Sequence, residues 1–297
     1  MASLKDVKMK IVGVAKTKQI TKAMNMVASA KLRGAQSRIE RFRPYAEKFQ
    51  AMLVDLAGKA EDSAHPLLET HDEKKVCTII LVTSDRGLCG SFNSNLISKA
   101  IKLANEKVKE GLEVKFICMG KKGRDAVAKT DYETLLSFGD KMGSFDFALA
   151  GQLGNDVLYG YENLAMDEVY LIFGEFVSMA RQVPVVQALL PLAKPAEEAE
   201  AEDQASTENS GQQYMYEPKE EELLAEFLPR YVKVQIYRGL LDTSASEHAA
   251  RMAAMDNATR NCDDMNRLLT LLYNKTRQAA ITGDLMDIVG GAEALNG

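Results

Sequence analysis

The stretch from Leu4 to Leu56, LKDVKMKIVGVAKTKQITKAMNMVASAKLRGAQSRIERFRPYAEKFQAMLVDL, decides the fold. Stepping by three and four from Leu4 selects Leu4, Val7, Ile11, Val14, Lys18, Thr21, Asn25, Ala28, Leu32, Ala35, Ile39, Phe42, Ala46, Phe49, Leu53 and Leu56, of which thirteen of sixteen are apolar. A seven-residue repeat sustained this long is the seam of a coiled coil. Its three exceptions, Lys18, Thr21 and Asn25, are consecutive in the seam, and apolar Ile20, Met24 and Val27 lie beside them. The stripe is therefore expected to rotate there or to lack a standard partner. Pro44 removes one backbone hydrogen bond and is expected to kink the helix without necessarily ending it.

The other end of the chain mirrors the first. No Gly or Pro interrupts Leu240 to Thr282, and Leu241, Ala245, His248, Met252, Met255, Thr259, Cys262, Asn266, Leu269 and Tyr273 follow the same spacing. Ile281, Leu285 and Ile288 prolong this stripe, and Gly290-Gly291 is expected to end it. Helices of about 55 to 60 residues would each be about 85 Å long, far beyond any compact core. They need each other, and an antiparallel pair carrying a globular insert is the economical solution.

The middle has a different grammar. Val76–Thr83 (VCTIILVT) is a continuous apolar run suited to a buried parallel strand, followed by the turn Ser84-Asp85-Arg86-Gly87-Leu88-Cys89-Gly90 and a helix over 95–109. A strand at 113–119, helices at 121–128 and 145–158, and strands at 168–177 and 181–190 complete an α/β sheet with right-handed crossovers. The run 194–213, rich in Ala, Glu, Ser and Gln, reads as a disordered surface loop. The expected division is 1–60 for the N-terminal helix, 75–193 for the α/β domain, 194–218 for the acidic loop and the segment after it, and 219–297 for the C-terminal helix.

A chain of 297 residues with no Trp, 7 Pro and 14 Met suits long uninterrupted helices. No apolar run approaches a membrane span, and Met1–Lys10 lacks the apolar core of a signal peptide. Cys77, Cys89, Cys118 and Cys262 show no metal-ligand spacing and read as reduced core thiols of a cytoplasmic protein. The net charge of −5 is uneven: residues 1–50 hold 12 Lys/Arg against Asp6, Glu40 and Glu47, whereas 196–222 hold 10 Asp/Glu against Lys219. A basic helix of this kind is either a solvated face or the mark of a nucleic-acid, acidic-lipid or acidic-protein partner.

The loop SDRGLCG stands where α/β folds bind phosphate, but it supplies GxxG and not GxGxxG, and no GxxxxGK[ST] occurs. It is either a tight structural turn or a weak nucleotide loop, and Gly120-Lys-Lys-Gly123 is weaker still. His65, His71 and His248 are scattered and form no catalytic constellation. No catalytic, cofactor-binding or metal-binding residue is assigned, and no cofactor is expected. Met24, Met26, Met252, Met255 and Met265 either fill the seam or form a surface that adapts to several partner shapes.

Taken together, Lys18-Gln-Ile-Thr-Lys-Ala-Met-Asn-Met-Val27, Ser29-Ala-Lys-Leu-Arg33, SDRGLCGSFN at 84–93, Glu247-His-Ala-Ala-Arg-Met-Ala-Ala-Met255, the run from Tyr273 to Thr282 and Ile288-Val-Gly-Gly-Ala292 resemble the gamma subunit of F-type ATP synthase over essentially the whole chain. The resemblance implies a long antiparallel coiled coil with an inserted Rossmann-like α/β domain, acting as a non-catalytic central rotor shaft. It implies alpha and beta subunits as partners around the shaft, with the epsilon subunit and the membrane rotor ring of c subunits at the α/β domain. Nucleic-acid binding and membrane insertion are not expected, and the implied location is peripheral, on the cytoplasmic face of a bacterial membrane. Met24 resembles the position facing the acidic segment of beta, with Lys18 and Lys22 beside it. Arg251, Arg277, Gln278 and Thr282 resemble the set that bonds the catch loops of alpha and beta, and Tyr214, Tyr216 and Glu217 resemble the foot on the rotor ring. Gly283 departs from the family's usual longer side chain, at a helix cost of about 1 kcal/mol. The acidic 196–213 stretch holds no Cys, so no thiol switch is expected. The competing readings are an α/β nucleotide-binding enzyme dimerised by a coiled coil, and a basic nucleic-acid arm at 1–60.

Overall fold

The computed structural model describes residues 4–57, 66–68, 71, 74–192 and 220–296. The elements run α1 (Leu4–Ala57), β1 (Val76–Val82), α2 (Phe92–Lys109), β2 (Glu113–Met119), α3 (Lys121–Val127), β3 (Glu133–Phe138), α4 (Phe147–Glu162), β4 (Glu168–Phe176), β5 (Gln182–Leu190) and α5 (Glu220–Asn296). Two compact units are present: Met1–Ser29 with Arg251–Gly297, and Ala30–Ala250. The acidic loop and the foot residues Tyr214, Tyr216 and Glu217 lie outside the described residues, as does His65.

In the larger unit the sheet has the order β3-β2-β1-β4-β5. Its first four strands are parallel, and β5 returns antiparallel to β4. Side chains of the central strands alternate between two cores, as the pleat demands. Ile79, Leu81, Phe116 and Cys118 face α2, whose Leu96, Ala100 and Ala104 leave room for close approach. Ile80, Val82, Ile117, Met119, Leu171 and Phe173 face the other way, onto α4, Phe49 of α1 and Leu224 through Leu241 of α5. The long helices thus supply one of the two layers that cover the sheet.

Helix α5 enters the sheet through its backbone. The Gly174 N–H donates to Thr243 Oγ1 at 3.2 Å, and Ser246 Oγ donates to the Gly174 carbonyl at 2.9 Å. A Cβ on Gly174 would stand 2.5 Å from the Phe92 ring, so the strand needs glycine at this crossing. Because Gly174 turns both backbone groups toward α5, its pairing with Pro184 requires no N–H from the proline.

The apolar stripe ends at Gly290-Gly291 while the helix continues to Asn296; nothing lies within 4 Å of either glycine's Cβ position, and no left-handed residue breaks the turn there. Two elements depart from the sequence reading. Helix α4 begins at Phe147 and not at 145, because the Asp146 carboxylate caps the Leu149 N–H at 3.0 Å while Phe145 stays in the core. Strand β3 was not expected; it is a short edge strand whose half-buried side chains give a weak pattern.

At the N-terminal edge of the sheet, Glu168 is bonded by Lys107 at 2.8 Å and Lys74 at 2.7 Å. Burial alone would raise this carboxyl, but the lysine hydrogen bonds outweigh it and hold Glu168 below the usual range. Burial pushes the Cys77 thiol up to about 12 and the Cys118 thiol up to about 11, so neither is a nucleophile near neutrality.

One buried carboxyl goes the other way. Burial raises Asp242 of α5 to about 6, opposed by Arg238, reinforced by the like charge of Glu175 and opposed again by Arg43. The native chain binds this proton more tightly than the unfolded chain does, so stability falls as pH rises from about 4 to about 6. Above that window the full cost applies, about 3 kcal/mol. Asp242→Asn is therefore expected to raise the melting temperature near neutral pH and to flatten the decline between about pH 4 and 6. Calorimetry at both pH values checks this, and a variant that melts lower near neutrality would overturn it.

Candidate functional site

In the unit formed by residues 1–29 and 251–297, α1 and α5 pair antiparallel, and the seam runs straight through its polar section. Lys18 forms an ion pair with Asp263. Thr21 and Thr259 share a hydroxyl hydrogen bond at 2.8 Å. Asn25 Nδ2 donates to the Met252 carbonyl at 2.8 Å. The expected rotation of the stripe does not occur, because each polar seam residue meets a polar partner and the neighbours Ile20 and Val27 point outward, 60% and 58% exposed. The asparagine and threonine rungs replace packing with directional bonds whose partners are satisfied across the seam.

The pairing also sets where the seam stops. Rungs at 18 with 263 and 21 with 259 place the start of α1 near Tyr273 and Thr276, the last half-buried seam residues of α5. Beyond them Ile281, Leu285, Met286 and Ile288 are 57%, 57%, 64% and 72% exposed, so the apolar stripe continues without cover from the described residues. Along α1, exposed Met9, Val12, Ile20 and Met26 alternate with exposed Lys5, Lys8, Lys10, Lys16 and Lys22. Exposed apolar side chains interleaved with lysines along α1 suit a protein interface. The methionines divide accordingly, with Met255 buried in the seam and Met26 and Met265 on the surface.

The residues singled out from sequence fall into two groups. Lys22, Arg277, Gln278 and Thr282 are exposed, and Met24 is half-buried. Lys18 is held by Asp263, and Arg251 is 9% exposed and engaged within the chain. Exposed Met286 and Val289 were not singled out; a helical stripe continuing past the reach of its partner helix was the available signal.

At the C-terminal edge of β1, β2 and β3 the loops are tied to one another by side chains of the chain itself. After β1, Ser84 N–H donates to Asn93 Oδ1 at 3.1 Å, and Asn93 Nδ2 donates to Ser84 Oγ at 2.7 Å. The Asp85 carboxylate accepts three backbone N–H groups, from Lys121, Asp140 and Met142, each at 3.0 Å. These donors come from the loops after β2 and β3, and the internal carboxylate ties both loops to the turn after β1. Gly120, at φ 94°, lets this corner close: a Cβ there would lie 2.2 Å from the Thr83 carbonyl oxygen. SDRGLCG is thus a structural turn. His71 pairs with Asp167 at 2.7 Å and stacks on Tyr161, and among the described residues no cluster of three His, Cys, Asp or Glu groups is placed to hold a metal.

A pair of long helices with an outward surface of lysine and apolar side chains, joined in one chain to an α/β domain whose turn after β1 is held by internal hydrogen bonds, has the architecture of a stalk subunit. The ATP synthase family model matches residues 3–295. The ATP synthase gamma chain of Nitratidesulfovibrio vulgaris strain Hildenborough is 67% identical over 297 residues, covering 100% of both chains, and that of Maridesulfovibrio salexigens is 64% identical over the same span. Among solved structures, the central stalk and c-ring of Tetrahymena thermophila mitochondrial ATP synthase has 27% identity and a TM-score of 0.57, covering 80% of this chain and 99% of that one. The Euglena gracilis mitochondrial assembly of OSCP, F1 and c-ring has 22% identity and a TM-score of 0.65, covering 98% and 94%, and agrees in fold. The chain belongs to the ATP synthase gamma chain family, whose members are non-catalytic rotor subunits.

Asp85→Ala leaves three backbone donors unpaired and is expected to cost roughly 3 kcal/mol, read as a lower urea midpoint at unchanged slope. An unchanged midpoint would show that water replaces the carboxylate freely. In the seam, Thr21→Val and Thr259→Val are each expected to cost about 1 kcal/mol, while the double variant costs clearly less than their sum. Strict additivity in that cycle would mean that the two hydroxyls do not interact.

Proposed function

We propose that the paired helices turn inside a ring of alpha and beta subunits and that the α/β domain couples them to the epsilon subunit and to the membrane rotor ring of c subunits. In this reading ion flow turns ring and shaft together, and the shaft transmits the rotation to nucleotide-binding sites on beta. An axially uniform rod could not do this, because only contacts that differ from one orientation to the next shift a conformational population. The observation that carries the reading is the alternation of lysine and apolar side chains on the outer face of α1 together with the uncovered stripe at the end of α5.

Residue roles follow exposure. Lys22 and Met24 face an acidic and apolar segment of beta, and Lys18 contributes there through its orientation by Asp263. Arg251, Arg277, Gln278 and Thr282 bond the catch loops of alpha and beta, the last three from exposed positions. Tyr214, Tyr216 and Glu217 form the foot on the polar loops of the rotor ring. No helix among the described residues is long and apolar enough to cross a membrane, which suits peripheral attachment on the cytoplasmic face of a bacterial membrane. The domain boundaries at 1–60, 75–193, 194–218 and 219–297 are the working division of labour between shaft, domain and foot.

Reconstitution of the chain with alpha and beta subunits is expected to give a complex whose ATPase activity drives rotation of a probe fixed to the α/β domain. Arg277→Ala with Gln278→Ala is expected to reduce torque or coupling while leaving circular dichroism and assembly intact, since both side chains are exposed. Failure to assemble would sink the rotor reading, and full coupling in the double variant would remove those two residues from it.

A further inference from the structure

In the unit spanning Ala30–Ala250, α1, α5 and the end of β4 converge on a groove of about 250 Å³. Its charged wall is built from Arg43 and Glu47 of α1, Glu175 of β4, and Arg238 and Asp242 of α5, with Phe176 beside them. Three carboxyl groups therefore face two guanidinium groups. The one close pairing is loose, Arg238 Nε to Asp242 Oδ2 at 3.8 Å, and the Arg238 side chain is 45% exposed while that of Asp242 is 12% exposed. Among the described residues Glu47 and Glu175 make no ion pair.

An ionised carboxylate in this position weakens the fold near neutral pH, and a neutral amide of the same shape would not. The chain carries at Asp242 a group that folding alone does not favour. The circumstance that repays such a group is a cation brought in from outside. The groove lacks three metal-ligating groups in reach of one another, which leaves an organic cation. Its volume accommodates one long side chain, and Asp242 and Glu175 present their carboxyl groups from different elements, so a planar fork of donors suits it better than a point charge.

We propose that this groove is a socket for a single arginine side chain of a partner protein, whose guanidinium group reaches Asp242 and Glu175 and lies against Phe176. The arginine supplies the missing positive charge, and Arg238 swings toward solvent to admit it. Entry of the guanidinium favours ionised Asp242, so docking releases a proton and strengthens as pH rises through about 6. The partner contact is thereby confined to conditions in which Asp242 has lost its proton.

The test uses the isotope-labelled full chain titrated with N-acetylarginine methylamide, with the citrulline counterpart as the uncharged control. Near neutral pH the expected result is a saturable shift of the backbone amide signals of Glu175, Phe176 and Asp242. Binding should fall roughly fivefold or more at about pH 5, in Asp242→Asn and with citrulline. Asp242→Asn removes a folding cost, and its signal dispersion verifies the fold directly. The absence of a saturable shift overturns the proposal. So does equal binding of citrulline, equal binding by Asp242→Asn, or a pH-independent affinity.

Discussion

The constraint on which this molecule depends is that two very long helices each carry an apolar stripe that must be covered. Alone in water such helices are held only by weak local propensity, and packing of the stripe supplies the rest. Three different surfaces do the covering. In the larger unit the helices lie on the sheet, with Leu228, Val232 and Ile236 against strand residues such as Leu171 and Phe173. In the smaller unit they cover each other, through apolar layers and the rungs at Lys18, Thr21 and Asn25. Past Thr276 no described residue covers α5, and its apolar stripe is left exposed.

The α/β domain shows how a fold associated with ligand binding serves mechanics instead. Its strand order is that of a nucleotide-binding sheet, yet Asp85 binds the backbone of the loops after β2 and β3, and Asn93 ties down the turn beside it. An internal ligand never dissociates, so the loops at this edge are held continuously and not only when a small molecule is bound. The same economy appears at Gly174, where the strand's spare backbone groups are taken by hydroxyls of α5. Sheet and shaft helix thereby share hydrogen bonds as well as apolar area, which suits an element that transmits torque.

Much of this was legible without coordinates because periodicity reports burial. The seam positions Val7, Ala28, Leu32, Ala35 and Phe49 are buried as the seven-residue repeat requires, and the apolar runs of β1, β2 and β4 lie inside the sheet. What was misread shares one cause. Lys18, Thr21 and Asn25 look like a break in the stripe until Asp263, Thr259 and the Met252 carbonyl are seen opposite them. Ile281, Leu285 and Ile288 look like seam until the start of α1 is found to fall short of them. Strand β3 escaped notice because an edge strand buries too little to leave a pattern.

The sequence by itself determined the paired terminal helices, the α/β insert and the family, since these rest on repeats and motifs that are local in the chain. Only the tertiary structure decided which polar side chains are partnered, which apolar ones are left bare, and that Asp85 ties the loops after β2 and β3 together. Those properties depend on residues more than thirty and in places more than two hundred positions apart. The charge at Asp242 belongs to the same category. A carboxylate's preference for its proton is set by how deeply it is buried and by the charges that other elements bring beside it, and neither is written next to it in the chain.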